Sequence, residues 1–414
     1  IRSLSHETRL SGDVGPLSWM IGANFSDDTV RDVLTQYIEL HGSSLVLGNK
    51  YDVIVYGGEQ EIRSWAVFSS LRLGLTDRFS LSAGVRYSED EREASNCTRD
   101  AGDGRASFAF TNLINTQRAG LGLDPIEPIP PGGCVTIDPS FLPVEYRATL
   151  KEDNVPWNVS LNWNVRPSTL VYGRVSRGYK AGLFPTIAAV NTGTLSPVRQ
   201  EKLTAYEIGT RMQPAPRVRV EAAVFHYDYA NKQVRGRKVD PVFGNVQSLV
   251  SIPESRITGA ELAAAFGPFG GLSFSASAVY LDSEVERYVG YNVANEEVDF
   301  AGAPLNFTPK RSLNADLNYT RRVSSGLNAF GGINVAYRSR TSAAMAAPPD
   351  FDIAEYTLVD AQLGIESVDG VWKAWVWGKN LTDEYYWTNM AASSGLYRFV
   401  GMPLTYGLSF SRKF

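Results

Sequence analysis

LTYGLSFSRKF, residues 404–414, decides how this chain is read. Leu404, Tyr406, Leu408 and Phe410 alternate with Thr405, Gly407, Ser409 and Ser411. In a β-strand successive side chains point to opposite faces, so this run has one apolar face and one small polar face. A half-buried strand of a soluble sheet has the same pattern, and recurrence decides between the two. Phe79, Leu81, Ala83, Val85 and Tyr87 alternate with Ser80, Ser82, Gly84, Arg86 and Ser88. Trp157, Val159, Leu161, Trp163 and Val165 alternate with Asn158, Ser160, Asn162 and Asn164. The same holds for Leu272–Tyr280, Leu313–Tyr319 and Leu327–Tyr337. Period-2 runs of roughly ten residues are the signature of transmembrane strands.

Composition agrees. The chain has 414 residues, 43% of them hydrophobic and 11% aromatic, with a mean hydropathy of -0.17. No stretch approaches the ~20 consecutive apolar residues of a membrane helix. A barrel needs apolar residues only at alternate positions, so low mean hydropathy does not exclude it. Aromatic residues sit at the ends of the apolar faces, where a membrane girdle requires amphipathic rings. A net charge of -4 argues against a nucleic-acid partner, which calls for a basic stripe.

Connections alternate in length. Short ones fall at 12–16, 76–78, 166–168, 214–217, 267–270, 324–326 and 367–370. Long ones cover about 27–60, 89–150, 180–201, 231–254, 284–309, 341–353 and 384–402. Short turns at one end and long loops at the other is the asymmetry of outer-membrane barrels, with the long loops outside. About 15 strands are expected, an odd number where single-chain bacterial barrels have an even one. The run after Arg217 places His226 and Asp228 on the parity of Val218–Val224, so the strand leaves the membrane there or contains a bulge. Segment 27–38 has an Asp cap and helical spacing of Val30, Leu34 and Ile38, which predicts a short helix in an outer loop. Cys97 and Cys134 share one polar, Gly/Pro-rich stretch. An oxidising compartment lets them pair; two free thiols is the alternative.

A last strand with a terminal aromatic, here Phe414, resembles the C-terminus of outer-membrane β-barrels. GKNLTDEYY (378–386) resembles the Asn-Leu-Thr-Asp box of TonB-dependent outer-membrane receptors. SRGYKAGLF (176–184) is similar to their Ser-x-Gly-Tyr-Lys-Ala-Gly-Gly-Phe box, with Leu183 in place of the second Gly. LSPVRQEKLTAYEIGTR (195–211) and RITGAELAAAF (256–266) resemble two further strands of that family. The resemblance covers essentially the whole chain. Short polar residues such as Asn380, Thr382 and Asp383 suit turn hydrogen bonds, so the boxes are expected to be architectural. Glu207 and Arg211 are expected in a charge network on the lumen wall.

The resemblance implies an all-β, transmembrane, antiparallel up-and-down barrel. The chain is expected to be the C-terminal part of a 22-stranded receptor barrel, N-terminally incomplete over 1–414, without signal peptide or plug domain. It implies a monomeric active transporter of the Gram-negative outer membrane, energised by TonB through the missing N-terminal portion. The first cargo is a ferric siderophore, with an oligosaccharide, cobalamin or a passive porin as alternatives. Outer-membrane lipid and lipopolysaccharide are the further partners. Anionic siderophores make Tyr179, Lys180, Arg235, Arg237, Lys238, Tyr385, Tyr386, Trp387 and Arg398 the candidate contacts. No enzyme motif is present: GxSxG, HExxH, CxxC and the P-loop are all missing. No cofactor or metal site is expected. His6, His41 and His226 have no ligand spacing, and Glu89–Asp90–Glu91 and Glu296–Glu297 read as solvated outer loops.

Overall fold

The computed structural model describes residues 1–37, 45–46, 48–187, 189–240, 244–392 and 396–413; His41 and Phe414 lie outside them. The alternating runs form one antiparallel sheet. Its strands are β1 (Arg2–Val14), β2 (Leu17–Tyr37), β3 (Val53–Gly74), β4 (Phe79–Asp100), β5 (Tyr146–Asn154), β6 (Trp157–Arg166), β7 (Thr169–Lys180) and β8 (Glu201–Ala215). They continue with β9 (Val218–Asp240), β10 (Gly244–Phe269), β11 (Leu272–Arg287), β12 (Arg311–Arg322), β13 (Leu327–Arg338), β14 (Tyr356–Ser367), β15 (Trp372–Lys379) and β16 (Thr405–Arg412). Sixteen strands fill fifteen positions, because β5 and β6 follow one another along β4. The break falls at Pro156, which lacks an N–H for the ladder; its carbonyl accepts from the Arg86 N–H at 3.0 Å.

All seven short connections are tight turns at one end of the sheet. At Gly271 the turn demands glycine. Its φ is +92°, and a Cβ there would lie 2.0 Å from the Thr320 carbonyl oxygen.

Register sets the apolar positions of neighbouring strands side by side. Leu161 lies opposite Leu81, Phe274 opposite Leu317, Leu317 opposite Ile333, and Leu363 opposite Val376, which faces Leu408. Leu161, Leu317, Ile333, Leu363 and Leu408 all remain more than two-fifths exposed. A contiguous exposed apolar band is costly in water and stable in lipid. Rings mark both rims: Phe79 stacks on Trp163 at 5.7 Å near the turns, and Trp65 meets Tyr87 at 5.4 Å toward the loops. The opposite face is polar. There Tyr172 donates to Glu207 at 2.7 Å, Arg211 stands 3.7 Å from Glu221, and Asn334 donates to Asp316 at 2.8 Å. Glu207 and Arg211 thus belong to the wall network read from the sequence.

Three local expectations change. Segment 27–37 is not helical: it continues β2, pairing with β1 as far as Thr29 and with β3 as far as Tyr37. The ladder to β3, joined by β1 up to Thr29, outweighs a local capping signal, and Val33 and Leu34 bury no helical face. Ile38 lies outside the described residues. There is no bulge at His226: β9 keeps register with β10 from Val218 to Asp240. About ten residues cross a hydrocarbon core, so more than half of this 23-residue strand stands outside it. Glu89, Asp90 and Glu91 lie within β4 and not in a loop, with Lys151 bridging Glu89 (2.9 Å) and Glu91 (3.5 Å).

The register predicts opposite outcomes for adjacent substitutions. Ala276, flanked by Ala264 and Ala315, shares the apolar face, whereas Ser277 shares the polar one. Ala276→Arg should lower folding stability in lipid by about 2–4 kcal/mol, and Ser277→Arg should leave it within about 1 kcal/mol. Urea unfolding of the complete protein in vesicles measures both.

Candidate functional site

Beyond the membrane band the long strands carry two compact assemblies of loops. The first is built on α1 (Arg105–Gly120). Ala106, Ala109, Phe110, Leu113 and Ile114 recur at i, i+3, i+4, i+7 and i+8, and all five are buried against Tyr51, Ile54 and Val135. That spacing is visible in the sequence, but the surrounding Gly and Pro hide it. Asp100 holds the start of the helix. Its carboxylate accepts from the N–H groups of Gly102 (2.8 Å), Gly104 (2.9 Å), Ala106 (3.0 Å), Ser107 (3.2 Å) and Gly132 (2.9 Å). Burial pushes this carboxyl up, but the backbone donors outweigh burial and hold it below the usual Asp value. Cys97 and Cys134 are disulfide-bonded, with Cα atoms 5.9 Å apart. The bridge and Asp100 therefore clamp the same two stretches together.

The second assembly joins the β9–β10 hairpin to the connections after β11, β13 and β15. Its core holds Ile252, Val285, Phe300, Leu305 and Met345, with an adjoining cluster of Ala343, Phe351, Ile353 and Met390. These elements enclose a solvent-open cleft of about 900 Å³. Arg235, Arg237 and Gln247 form one wall; Tyr288, Tyr291 and Asn306 are among those that form the others. Arg237 donates to Asn295 at 2.8 Å. Cationic donors facing aromatic rings suit an anionic, partly apolar ligand.

The sequence candidates separate in space. Arg235 and Arg237 line the cleft together. Lys238, next in the strand, lies on the other face and donates to the Ser196 carbonyl at 3.0 Å; burial pushes its ammonium below the usual lysine value. Trp387 packs beside Met390 and Phe351 in the cluster beneath the cleft and donates to the Asp352 carbonyl at 3.1 Å. Arg398 covers the Trp387 ring at 4.6 Å. The Tyr386 ring lies tilted against Tyr356 at 4.6 Å, while Tyr385 is exposed, edge-on to Trp387 at 6.0 Å. Tyr179 and Lys180 end β7, beside Glu201 and Lys202 of β8. The cleft residues Tyr288, Tyr291 and Phe300 were not singled out in the sequence; their only signal is aromatic density within one loop.

The sequence boxes build scaffold. Asn380 is buried at φ +50°. Its amide donates to the carbonyls of Glu384 (2.9 Å) and Met402 (3.0 Å), and its oxygen accepts from the Glu384 N–H (2.9 Å). It thereby ties the end of β15 to the start of β16. At Gly182 a Cβ would lie 2.5 Å from Glu152 Oε2 and 2.6 Å from the Val198 carbonyl oxygen. Glu152 uses that space to accept from the N–H groups of Gly182 and Gln200, both at 2.9 Å.

A family model described as TonB dependent receptor-like, beta-barrel matches residues 2–381. Among solved structures the chain is similar to the ferric yersiniabactin uptake receptor FyuA from Yersinia pestis. Identity is 20% and TM-score 0.71, covering 98% of this chain and 53% of that one. It is similar to the siderophore receptor PiuA from Acinetobacter baumannii, at 15% identity and TM-score 0.67, covering 99% and 55%. The ferric citrate transporter FecA in its unliganded form gives 15%, 0.64, 100% and 54%. The chain thus spans about half the length of the structures it matches, and at these identities the likeness is one of fold. No curated protein sequence matches.

Two measurements test the α1 clamp. Asp100 has a lowered folded value, so its stabilisation is present above the unfolded value and is lost as pH falls through the folded one. Protection of the α1 amides, taken relative to their intrinsic exchange rates, should hold down to about pH 4 and fall below it; Asp100→Asn should abolish that dependence. Cys97→Ser with Cys134→Ser reopens a 37-residue separation. On the chain-entropy estimate this costs about 4 kcal/mol, read as proteolysis within 100–130 where the native protein resists.

Proposed function

The chain belongs to the TonB-dependent receptor-like β-barrel family, and we propose that it forms the membrane wall and outer binding loops of a receptor that takes up an anionic ferric siderophore with energy from TonB. The observation that carries this reading is the cleft, with Arg235 and Arg237 on one wall and aromatic rings on the others. A ferric complex with negatively charged chelating groups gains charge-assisted hydrogen bonds from the guanidinium groups and burial from the rings. The solved relatives include receptors named for siderophores.

The sheet itself supports reading the chain as part of a larger barrel of the Gram-negative outer membrane. Among the described residues β1 and β16 each have a single partner strand. Open sheet edges are prohibitive in lipid. A closed 22-stranded wall around a plug removes both edges, and the plug would then carry the contact with TonB. The exposed apolar band faces lipid and, at its outer rim, lipopolysaccharide.

A second reading, an oligosaccharide cargo, is favoured by the exposed Tyr385 ring beside Trp387, since sugar faces stack on such rings. The two readings separate by substitution in the full-length receptor. For an anionic siderophore, Arg235→Ala with Arg237→Ala should weaken binding of the ferric complex at least about tenfold. Unchanged affinity in that variant, with loss of binding in Tyr385→Ala, would transfer the assignment to a sugar.

A further inference from the structure

The connection between β7 and β8 reaches both outer assemblies. On the α1 side, the Ala189 carbonyl accepts from Thr98 Oγ1 (2.8 Å) and Thr136 Oγ1 (3.2 Å). The Ile137 N–H donates to the Val190 carbonyl and the Thr192 N–H to the Ile137 carbonyl, both at 2.9 Å. Thr98 and Thr136 are fully buried beside the bridged cysteines. On the hairpin side, Ser248 Oγ donates to the Thr194 carbonyl at 3.0 Å and Lys238 Nζ to the Ser196 carbonyl at 3.0 Å. Farther along, Gln233 Nε2 donates to the carbonyls of Ala181 and Arg199, each at 3.0 Å.

Little slack separates the two sets of contacts. The α1-side bonds end at Thr192 and the hairpin-side bonds begin at Thr194, so only Gly193 lies between them. All three residues belong to one 3-10 turn, Thr192–Leu195, whose Gly193 N–H is held by the Asn191 side chain at 2.7 Å. Thr194 and Leu195 are buried. The hairpin is a ribbon with two faces. Arg237 pairs with Gln247 across it, and both line the cleft. Gly236 pairs with Ser248, and Lys238 with Val246, on the alternate parity that meets the connection.

We propose that Lys238 and Ser248 are positioning residues. Through the 189–196 strap they fix the cleft-lining hairpin to the disulfide-clamped α1 assembly, so that order at the cleft and order at the helix change together. The physical warrant is a short chain of hydrogen bonds, buried at Thr98, Thr136 and Ser248 and exposed at Lys238, with one residue between the two sets. Any such coupling is reciprocal: what loosens the helix must loosen the cleft wall by the same free energy. The cleft's ligand is taken from the function proposed above; the coupling itself requires no ligand.

Hydrogen exchange in the full-length receptor tests this without ligand. Lys238→Met with Ser248→Ala should speed exchange over 105–120 by roughly fivefold to tenfold, and Lys238→Arg with Ser248 intact should keep it near the native rate. Asp100→Asn, which acts within the α1 assembly and touches neither the strap nor the hairpin, should in turn speed exchange over 235–250. Exchange within the membrane segments 272–280 and 313–319 should not move in any variant. An unchanged helix in the double variant, no rescue by arginine, or equal acceleration in the membrane strands would each overturn the proposal. If the coupling is found while the Arg235 and Arg237 substitutions leave siderophore affinity unchanged, the functional reading fails and the strap stands.

Discussion

Backbone hydrogen bonding in a medium without water is the constraint on which the rest of this structure depends. Inside hydrocarbon every N–H and C=O must find a partner within the protein. This chain meets the demand with long antiparallel ladders, and the ladders fix everything else. They set the period of two, the exposed apolar face and the polar face opposite it. They also explain why Pro156 is tolerated only at a break between two strands.

Above the membrane the same strands face a different problem. There water competes for backbone groups, and a bare ribbon some ten residues long has little to hold it. The chain answers by covering its ribbons. One assembly packs α1 against the tops of β3 and β4, under a disulfide and a carboxylate with five backbone donors. The other packs three connections onto the β9–β10 hairpin around Ile252, Val285 and Phe300. Small apolar cores beside rigid strands give loops fixed positions, and fixed positions let Arg235 and Arg237 converge with rings from distant parts of the sequence. Preorganised donors of this kind lose less freedom on binding than mobile ones.

The fold was largely legible because its signal is strictly local. Leu404, Tyr406, Leu408 and Phe410 announce their strand without reference to any partner, and the Gly/Pro turns announce which ends are short. The misread elements are those where a local signal met a stronger distant one. Val30 and Leu34 have helical spacing, but β3 offers that segment an unbroken ladder as far as Tyr37. Arg235, Arg237 and Lys238 look like one basic cluster, yet strand alternation sends Lys238 to the face opposite the two arginines. The cleft was only partly legible, since Tyr288, Tyr291, Asn306 and Phe351 meet the hairpin through packing between separate loops. The boxes at Asn380 and Gly182 were legible as architecture because their chemistry, a positive φ and a close backbone approach, is written in the residue types.

The central claim, that the outer cleft captures an iron complex, is tested most directly by anomalous diffraction at the iron edge from crystals of the complete receptor loaded with an anionic ferric siderophore. The account predicts one iron peak inside the cleft, with the chelating groups within hydrogen-bonding reach of Arg235 and Arg237. A peak elsewhere in the loaded receptor, away from the hairpin and the rings of Tyr288 and Tyr291, would contradict it.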